Sequence, residues 1–115
     1  MKVAIQGRAQ DSQKALYDAA GIELVEGGCR NEDEMIELIG DADGAQVGIL
    51  PLTTRKVMET CSNLKCVSRF GVGVDSIDIE AATELGVIVC NVPGSNTTEV
   101  ADHAMSLMLM LTRRL

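Results

Sequence analysis

Short β-rich apolar runs alternate with helix-like stretches along this chain, and that alternation restricts its fold more than any other feature. Strands separated by helical crossovers pair in parallel, and the crossovers are right-handed. The pattern predicts a first strand over residues 2–6, a helix capped by Asp11 or Ser12 that runs to about Ala20 and ends at Gly21, and a second strand over Ile22–Val25. A second helix over Glu32–Ile39 stops at Gly40, and a third strand over Gln46–Leu50 is closed by Pro51. Thr53 or Thr54 opens a helix to about Thr60, Lys65–Ser68 gives strand four, and Ile79–Glu84 forms a short helix halted by Gly86. Strand five, Val87–Cys90, is a continuous apolar run, as expected of a strand covered on both faces. The expected architecture is α/β, a flavodoxin-like doubly wound parallel sheet of five strands in the order 2-1-3-4-5, ending in a long apolar interdomain helix.

That last helix departs from the rest. Asn96 stands as an N-cap with Glu99 three residues on, close to a capping box, and no Gly or Pro follows. Met105 and the run Leu107-Met108-Leu109-Met110-Leu111 leave no polar face over two turns, so the helix needs cover on every side. One side is expected on this domain's sheet and the other on a second domain or another subunit, which predicts self-association as a homodimer. The run Met105–Leu111 is far shorter than the ~20 residues that cross a bilayer. The stop at Leu115, directly after Arg113-Arg114, reads as a cut through a larger protein. The expected division is residues 1–96 as the sheet domain and 97–115 as the interdomain helix.

Composition narrows the function. A chain of 115 residues with 46% hydrophobic residues suits one domain with a sizeable core. Tyr17 and Phe70 are the only aromatics, so the core is aliphatic and Met-filled, and stacking platforms for single-stranded nucleic acid are not expected. A net charge of −7 repels a phosphate backbone, and only Arg113 and Arg114 adjoin as a basic pair. Cys29, Cys61, Cys66 and Cys90 form no close CxxC pair and follow no secretory signal, so reduced and mostly buried thiols are expected. With a single His, a zinc site has little to work with. The chain opens on Met1-Lys2-Val3-Ala4-Ile5, a strand rather than a targeting peptide, and a cytoplasmic location is expected by default.

The segment carrying the most chemistry is Arg69-Phe70-Gly71-Val72-Gly73-Val74-Asp75. Two glycines after a strand let successive N–H groups converge on an anion, and Arg69 can add a charged fork. Ser76 stands where a dinucleotide fingerprint has its third glycine, and the following helix begins too late, so this is no Rossmann motif. Two readings stay open from spacing alone: an anion-binding loop, or a turn that needs glycine only for its dihedrals. Arg69 can face a ligand carboxylate, or pair with Asp75 or another surface acid, and Asp75 is expected to cap or brace the loop. His103, the lone imidazole, sits in the apolar helix and reads as a packing or hydrogen-bonding residue. Ser12, Ser62, Ser95 and Ser106 lack any nucleophile motif.

Taken together, the ordered segments Leu64-Lys65-Cys66-Val67-Ser68-Arg69-Phe70-Gly71-Val72-Gly73-Val74-Asp75-Ser76-Ile77-Asp78, Glu80-Ala81-Ala82-Thr83 with Gly86-Val87, Cys90-Asn91-Val92-Pro93 and Glu99-Val100-Ala101-Asp102-His103-Ala104 resemble the D-isomer-specific 2-hydroxyacid dehydrogenases. Within them the likeness is to the branch of the C-terminal-binding-protein relatives and to phosphoglycerate and hydroxypyruvate dehydrogenases. The resemblance implies a substrate domain joined by a long helix to an NAD-binding domain. It implies that the backbone of Gly71, Val72 and Gly73 holds the carboxylate of a small 2-oxo or 2-hydroxy acid, with Arg69 assisting, and that Val72 and Val100 approach the nicotinamide of NAD. The family's catalytic arginine, glutamate and acid-base histidine match nothing in these residues, and His103 does not take that role. Where many members carry a polar or basic contact after strand three, this chain has Leu50-Pro51-Leu52. By the resemblance the 115 residues alone are inactive. The alternatives are an NAD-regulated, corepressor-like protein-binding module and a freestanding flavodoxin-like dimerisation domain.

Overall fold

In a computed structural model that describes residues 1–114, ten elements follow one another along the chain. They are β1 (Lys2–Gln6), α1 (Asp11–Ala19), β2 (Glu23–Gly27), α2 (Glu32–Ile39), β3 (Gly44–Val47), α3 (Arg55–Thr60), β4 (Cys66–Arg69), α4 (Ile79–Leu85), β5 (Ile88–Cys90) and α5 (Thr97–Arg113). The five strands make one sheet in the order β2-β1-β3-β4-β5, and every ladder is parallel. Both order and direction agree with the sequence pattern.

Local chemistry fixes the helix ends. Asn31 caps α2 by accepting from the Glu34 N–H at 2.9 Å, and Glu32, Asp33 and Glu34 place negative charge at the positive end of the helix dipole. Asp78 caps α4 through the Ala81 N–H at 2.9 Å, and Gly86 ends it in the left-handed region that a side chain disfavours.

The core lies on one face of the sheet. Ala4, Ala45, Val47 and Val67 point to that side and meet Met35 and Ile39 of α2, Val57 and Met58 of α3, and Ala81 and Ala82 of α4. The alternate residues Val3, Gly44, Gln46, Cys66 and Ser68 line the opposite face, where they bound a cavity of about 230 Å³ with Tyr17 of α1.

Several expectations need correction. Strand three is Gly44–Val47 rather than Gln46–Leu50, because the register with β1 and β4 begins at Gly44. Ile49 and Leu50 therefore leave the sheet for an exposed loop, which contains a cis Leu50–Pro51 bond. Helix α1 is capped by Gln10, whose N–H donates to the Gln13 side chain at 2.9 Å, not by Asp11 or Ser12. Strand five is an edge strand with Ile88 and Cys90 exposed, not a strand covered twice. Asn96 makes no side-chain cap bond. Helix α5 does not lie on the sheet: every residue from Asn91 to Arg114 is exposed, and the molecule extends 55 Å along its longest axis. The expectation placed on Leu115 lies outside the described residues. Among those residues, no helix is long and apolar enough to cross a membrane.

Candidate functional site

The carboxyl ends of β3 and β4 carry the loop that the sequence singles out. Val47 and Arg69 face each other in register, and the Phe70 N–H donates to the Val47 carbonyl at 2.9 Å, so the loop leaves the sheet from a fixed point. The Gly71 N–H turns back to the Arg69 carbonyl at 2.9 Å. The Gly71 carbonyl then accepts from the Val92 N–H at 2.9 Å, and the Val72 carbonyl accepts from Asn91 Nδ2 at 2.6 Å. The loop's carbonyls are thus tied to the strand-five exit, whereas no described residue accepts from the Val72 or Gly73 N–H. Backbone donors without a partner in protein must meet water or a ligand.

The two glycines have different duties. Gly71 has φ of 146°, a conformation closed to ordinary side chains, and a Cβ there would fall 1.4 Å from Arg69 Nη1. The Arg69 side chain folds over Gly71 and donates from Nη1 to the Phe70 carbonyl at 2.6 Å, while its Nε is buried without an acceptor among the described residues. Among the described residues it pairs with neither Asp75 nor any other acid. Gly73 is not among the glycines of positive φ, and a Cβ at 73 would meet only Asp75 Oδ2, at 3.0 Å. Its dihedrals do not call for glycine, and the one neighbour a side chain would crowd is the Asp75 carboxylate.

The β3–α3 connection is fastened alongside this loop. Gln6 accepts from the Gly48 N–H at 2.7 Å and donates from Nε2 to the Leu50 carbonyl at 2.6 Å. Ser76 Oγ donates to the Gly48 carbonyl at 3.3 Å, the Thr53 N–H to the Ser76 carbonyl at 2.8 Å, and the Asp78 N–H to the Thr53 carbonyl at 3.0 Å. Between the two connections lies a cavity of about 230 Å³ lined by Leu52, Thr53, Thr54, Asp75, Ser76, Ile77 and Asp78. Asp75 accepts no hydrogen bond within the loop, so the cap is Asp78 instead.

Gln6, Ser76 and Asn91 hold the loops in place, and sequence reasoning did not give them that role. An amide side chain at the end of a strand, as at Gln6 and again at Asn91, is the signal that marks them. Arg69, Gly71, Val72 and Gly73 come together in space. Val100 sits in the first turn of α5, exposed, with its N–H bonded to the Asn96 carbonyl at 3.0 Å. His103 lies one turn further, also exposed, and forms no ion pair among the described residues.

Metal and nucleophile chemistry find little here. All four cysteines are free, and only Cys61 is buried, with Cys29 and Cys66 half-buried and Cys90 exposed, which corrects the expectation of mostly buried thiols. Burial pushes the Cys29, Cys61 and Cys66 thiols up, and the neighbouring Cys90 raises Cys66 further. No described cluster of three or more His, Cys, Asp or Glu side chains is disposed to hold a metal ion.

A parallel α/β sheet in this strand order, with a glycine loop at the carboxyl end of β4, belongs to the doubly wound class, in which ligands gather at that end of the sheet. Residues 3–113 match the catalytic domain of the D-isomer specific 2-hydroxyacid dehydrogenases, and the chain belongs to that family. It is 41% identical over 106 residues to a D-3-phosphoglycerate dehydrogenase of Methanocaldococcus jannaschii, covering 92% of this chain and 20% of that protein. It is 37% identical over 84 residues to a hydroxypyruvate reductase of Thermotoga maritima, covering 73% of this chain and 28% of the relative. Among solved structures, the NAD+-bound 3-phosphoglycerate dehydrogenase of Entamoeba histolytica superposes with a TM-score of 0.80 at 29% identity, over 96% of this chain and 38% of that one. The NAD complex of a formate dehydrogenase from Staphylococcus aureus gives 0.82 at 29% identity, over 99% and 39%. The chain thus spans well under half the length of these relatives.

Proposed function

We propose that this chain is the substrate domain of an NAD-dependent D-2-hydroxyacid dehydrogenase, with residues 1–96 forming the sheet domain and 97–115 the helix toward a cofactor domain. The observation that carries this reading is the pair of unpartnered amides at Val72 and Gly73, beside Arg69, at the carboxyl end of β4. A carboxylate seated there accepts from both N–H groups. Arg69 reaches the same anion once its guanidinium leaves the Phe70 carbonyl, gaining a charged partner for a neutral one. Held at two oxygens, a 2-oxo or 2-hydroxy acid presents its second carbon in one orientation, and such positioning lowers a barrier by several kcal/mol.

The residues present do not fit the pyrophosphate of NAD: the loop lacks a third glycine at Ser76, and α4 begins only at Ile79. They fit an edge contact, with Val72 and Val100 offering exposed apolar surface to a nicotinamide ring. When bound, NAD accepts or gives the hydride; this chain holds the acid. The 115 residues alone are therefore proposed to be inactive with NADH and pyruvate, glyoxylate or hydroxypyruvate, and turnover above background would overturn that. Amide NMR tests the site itself. Pyruvate should shift the Val72 and Gly73 resonances saturably, and an unresponsive loop would refute the reading.

The bare α5 supports a second feature, a homodimer through that helix. It also keeps alive the corepressor-like protein-binding module and the freestanding dimerisation domain, both of which forgo the carboxylate and so predict no response to pyruvate.

A further inference from the structure

The two donors of the carboxylate cradle are aimed from outside their own loop. A trans peptide unit is planar with its C=O and N–H pointing in opposite directions, so holding the carbonyl of one residue directs the N–H of the next. In this loop, where every peptide bond is trans, the Gly71 carbonyl shares a plane with the Val72 N–H, and the Val72 carbonyl shares a plane with the Gly73 N–H. The strand-five exit holds both carbonyls: Gly71 accepts from the Val92 N–H at 2.9 Å, and Val72 accepts from Asn91 Nδ2 at 2.6 Å. Residues 91 and 92 therefore fix successive planes and turn both N–H groups away from themselves.

The two planes are not equally secure. Val92 grips Gly71 with main chain, whereas the plane between Val72 and Gly73 is held by a side chain, with Asn91 as the donor to the Val72 carbonyl among the described residues. Glycine at 73 leaves that plane easy to turn over, because a residue without a Cβ accepts the φ that a peptide flip demands. After a flip the Val72 carbonyl would stand where the Gly73 N–H stood, and a carbonyl oxygen repels a carboxylate. Flipping breaks the Asn91 bond, so that bond keeps the donor side outward. Binding then starts from an ordered cradle rather than from a mixture of donor and acceptor faces.

Resting on the carboxylate reading above, we infer that Asn91 is a positioning residue for the 2-oxo or 2-hydroxy acid: by holding the Val72 carbonyl it aims the Gly73 N–H at the bound carboxylate. It acts through the peptide unit, not on the acid.

The test compares the 115-residue chain with Asn91→Leu, which removes the donor at similar volume, and Asn91→Gln, which keeps it on a longer arm. Asn91 is exposed, so neither change empties a packed site and the melting temperature should barely move. Without ligand, NMR relaxation should give the Gly73 amide an order parameter of about 0.85 in the unaltered chain and nearer about 0.6 in Asn91→Leu. The Val72 amide, aimed through Val92, should stay ordered in both. Pyruvate titrations followed on these amides should show affinity about three- to tenfold weaker in Asn91→Leu, as loss of one hydrogen bond implies, and largely restored in Asn91→Gln. Equal order at Gly73 with and without the Asn91 amide, or unchanged pyruvate affinity in Asn91→Leu, would overturn the positioning role while leaving the carboxylate site standing. Failure of pyruvate to shift either amide in the unaltered chain would overturn both.

Discussion

Replacing Gly73 with alanine should separate binding from folding, because the two glycines of the loop are held by different constraints. At position 73 the backbone is outside the positive-φ region, and the new Cβ would meet only Asp75 Oδ2 at 3.0 Å, the mobile end of an exposed side chain. Gly→Ala at a compatible conformation gains about 0.4–1 kcal/mol by restricting the unfolded chain. Displacing Asp75 offsets part of this, so the net stability change should stay within about 1 kcal/mol. Binding should respond far more. A methyl group beside the Gly73 N–H keeps a carboxylate from closing on it, and a lost hydrogen bond to a charged acceptor costs about 1.5–3 kcal/mol, or roughly 10- to 150-fold in affinity. Gly71→Ala should show the opposite balance. Its φ of 146° costs a side chain about 1–3 kcal/mol, and the Cβ would displace Arg69 from the Phe70 carbonyl. For a chain of this size each kcal/mol lowers the melting temperature by about 3–6 °C. Thermal denaturation and a pyruvate titration of both variants decide the matter. Unchanged affinity in Gly73→Ala, or a collapse of its fold, would refute the division of roles.

Other outcomes follow from the same structure. Glu26, Glu32, Asp41 and Asp43 all lie below the ordinary carboxylate range, chiefly through hydrogen bonds from Lys14, Thr54, Lys2 and Lys65 respectively. A lowered folded value gives stability that is present above the unfolded value near 4 and is lost as pH falls through the folded one. The melting-temperature gap between the unaltered chain and Glu26→Gln should therefore be full at pH 6 and close on acidification below about pH 4; a gap that widens with acid would contradict the sign. Iodoacetamide followed by mass spectrometry should label Cys90 first and Cys61 only on unfolding, since Cys90 is exposed and Cys61 is 1% exposed. Helix α5 leaves Val100, Met105 and the run Leu107–Met110 about half exposed and Leu111 80% exposed, so covering them is worth roughly 5–10 kcal/mol. Light scattering should show dimers that Met108→Glu weakens, and a clean monomer at high concentration would count against self-association.

Much of the fold was legible because its signals are local. Glu32–Ile39 carries its cap at Asn31 and its stop at Gly40, and its limits agree between sequence and structure. The five-strand order followed from alternation and handedness alone. Strand three lies two residues earlier than the apolar pattern suggests: Ile49 and Leu50 look like strand, yet Gly44 and Ala45 occupy the ladder, and the more hydrophobic pair stands exposed in the loop that follows. The strand at Val87–Cys90 misled for a related reason, since an apolar run cannot say how many of its faces are covered. Helix α5 shows the same limit, for its periodicity demands cover without saying where the cover comes from. At the site, the glycine positions were visible in sequence, but their different duties were not. That distinction depends on the φ of Gly71 and on Arg69 lying over it, both set by contacts from outside the loop.

A crystal structure of the chain with pyruvate bound measures the central claim most directly. The account expects both carboxylate oxygens within about 3 Å of the Val72 and Gly73 nitrogens, with the Arg69 guanidinium turned from the Phe70 carbonyl toward the acid. Pyruvate lodged elsewhere, such as the cavity beside Tyr17 and Cys66, or amides of Val72 and Gly73 bonded to protein carbonyls, would contradict it.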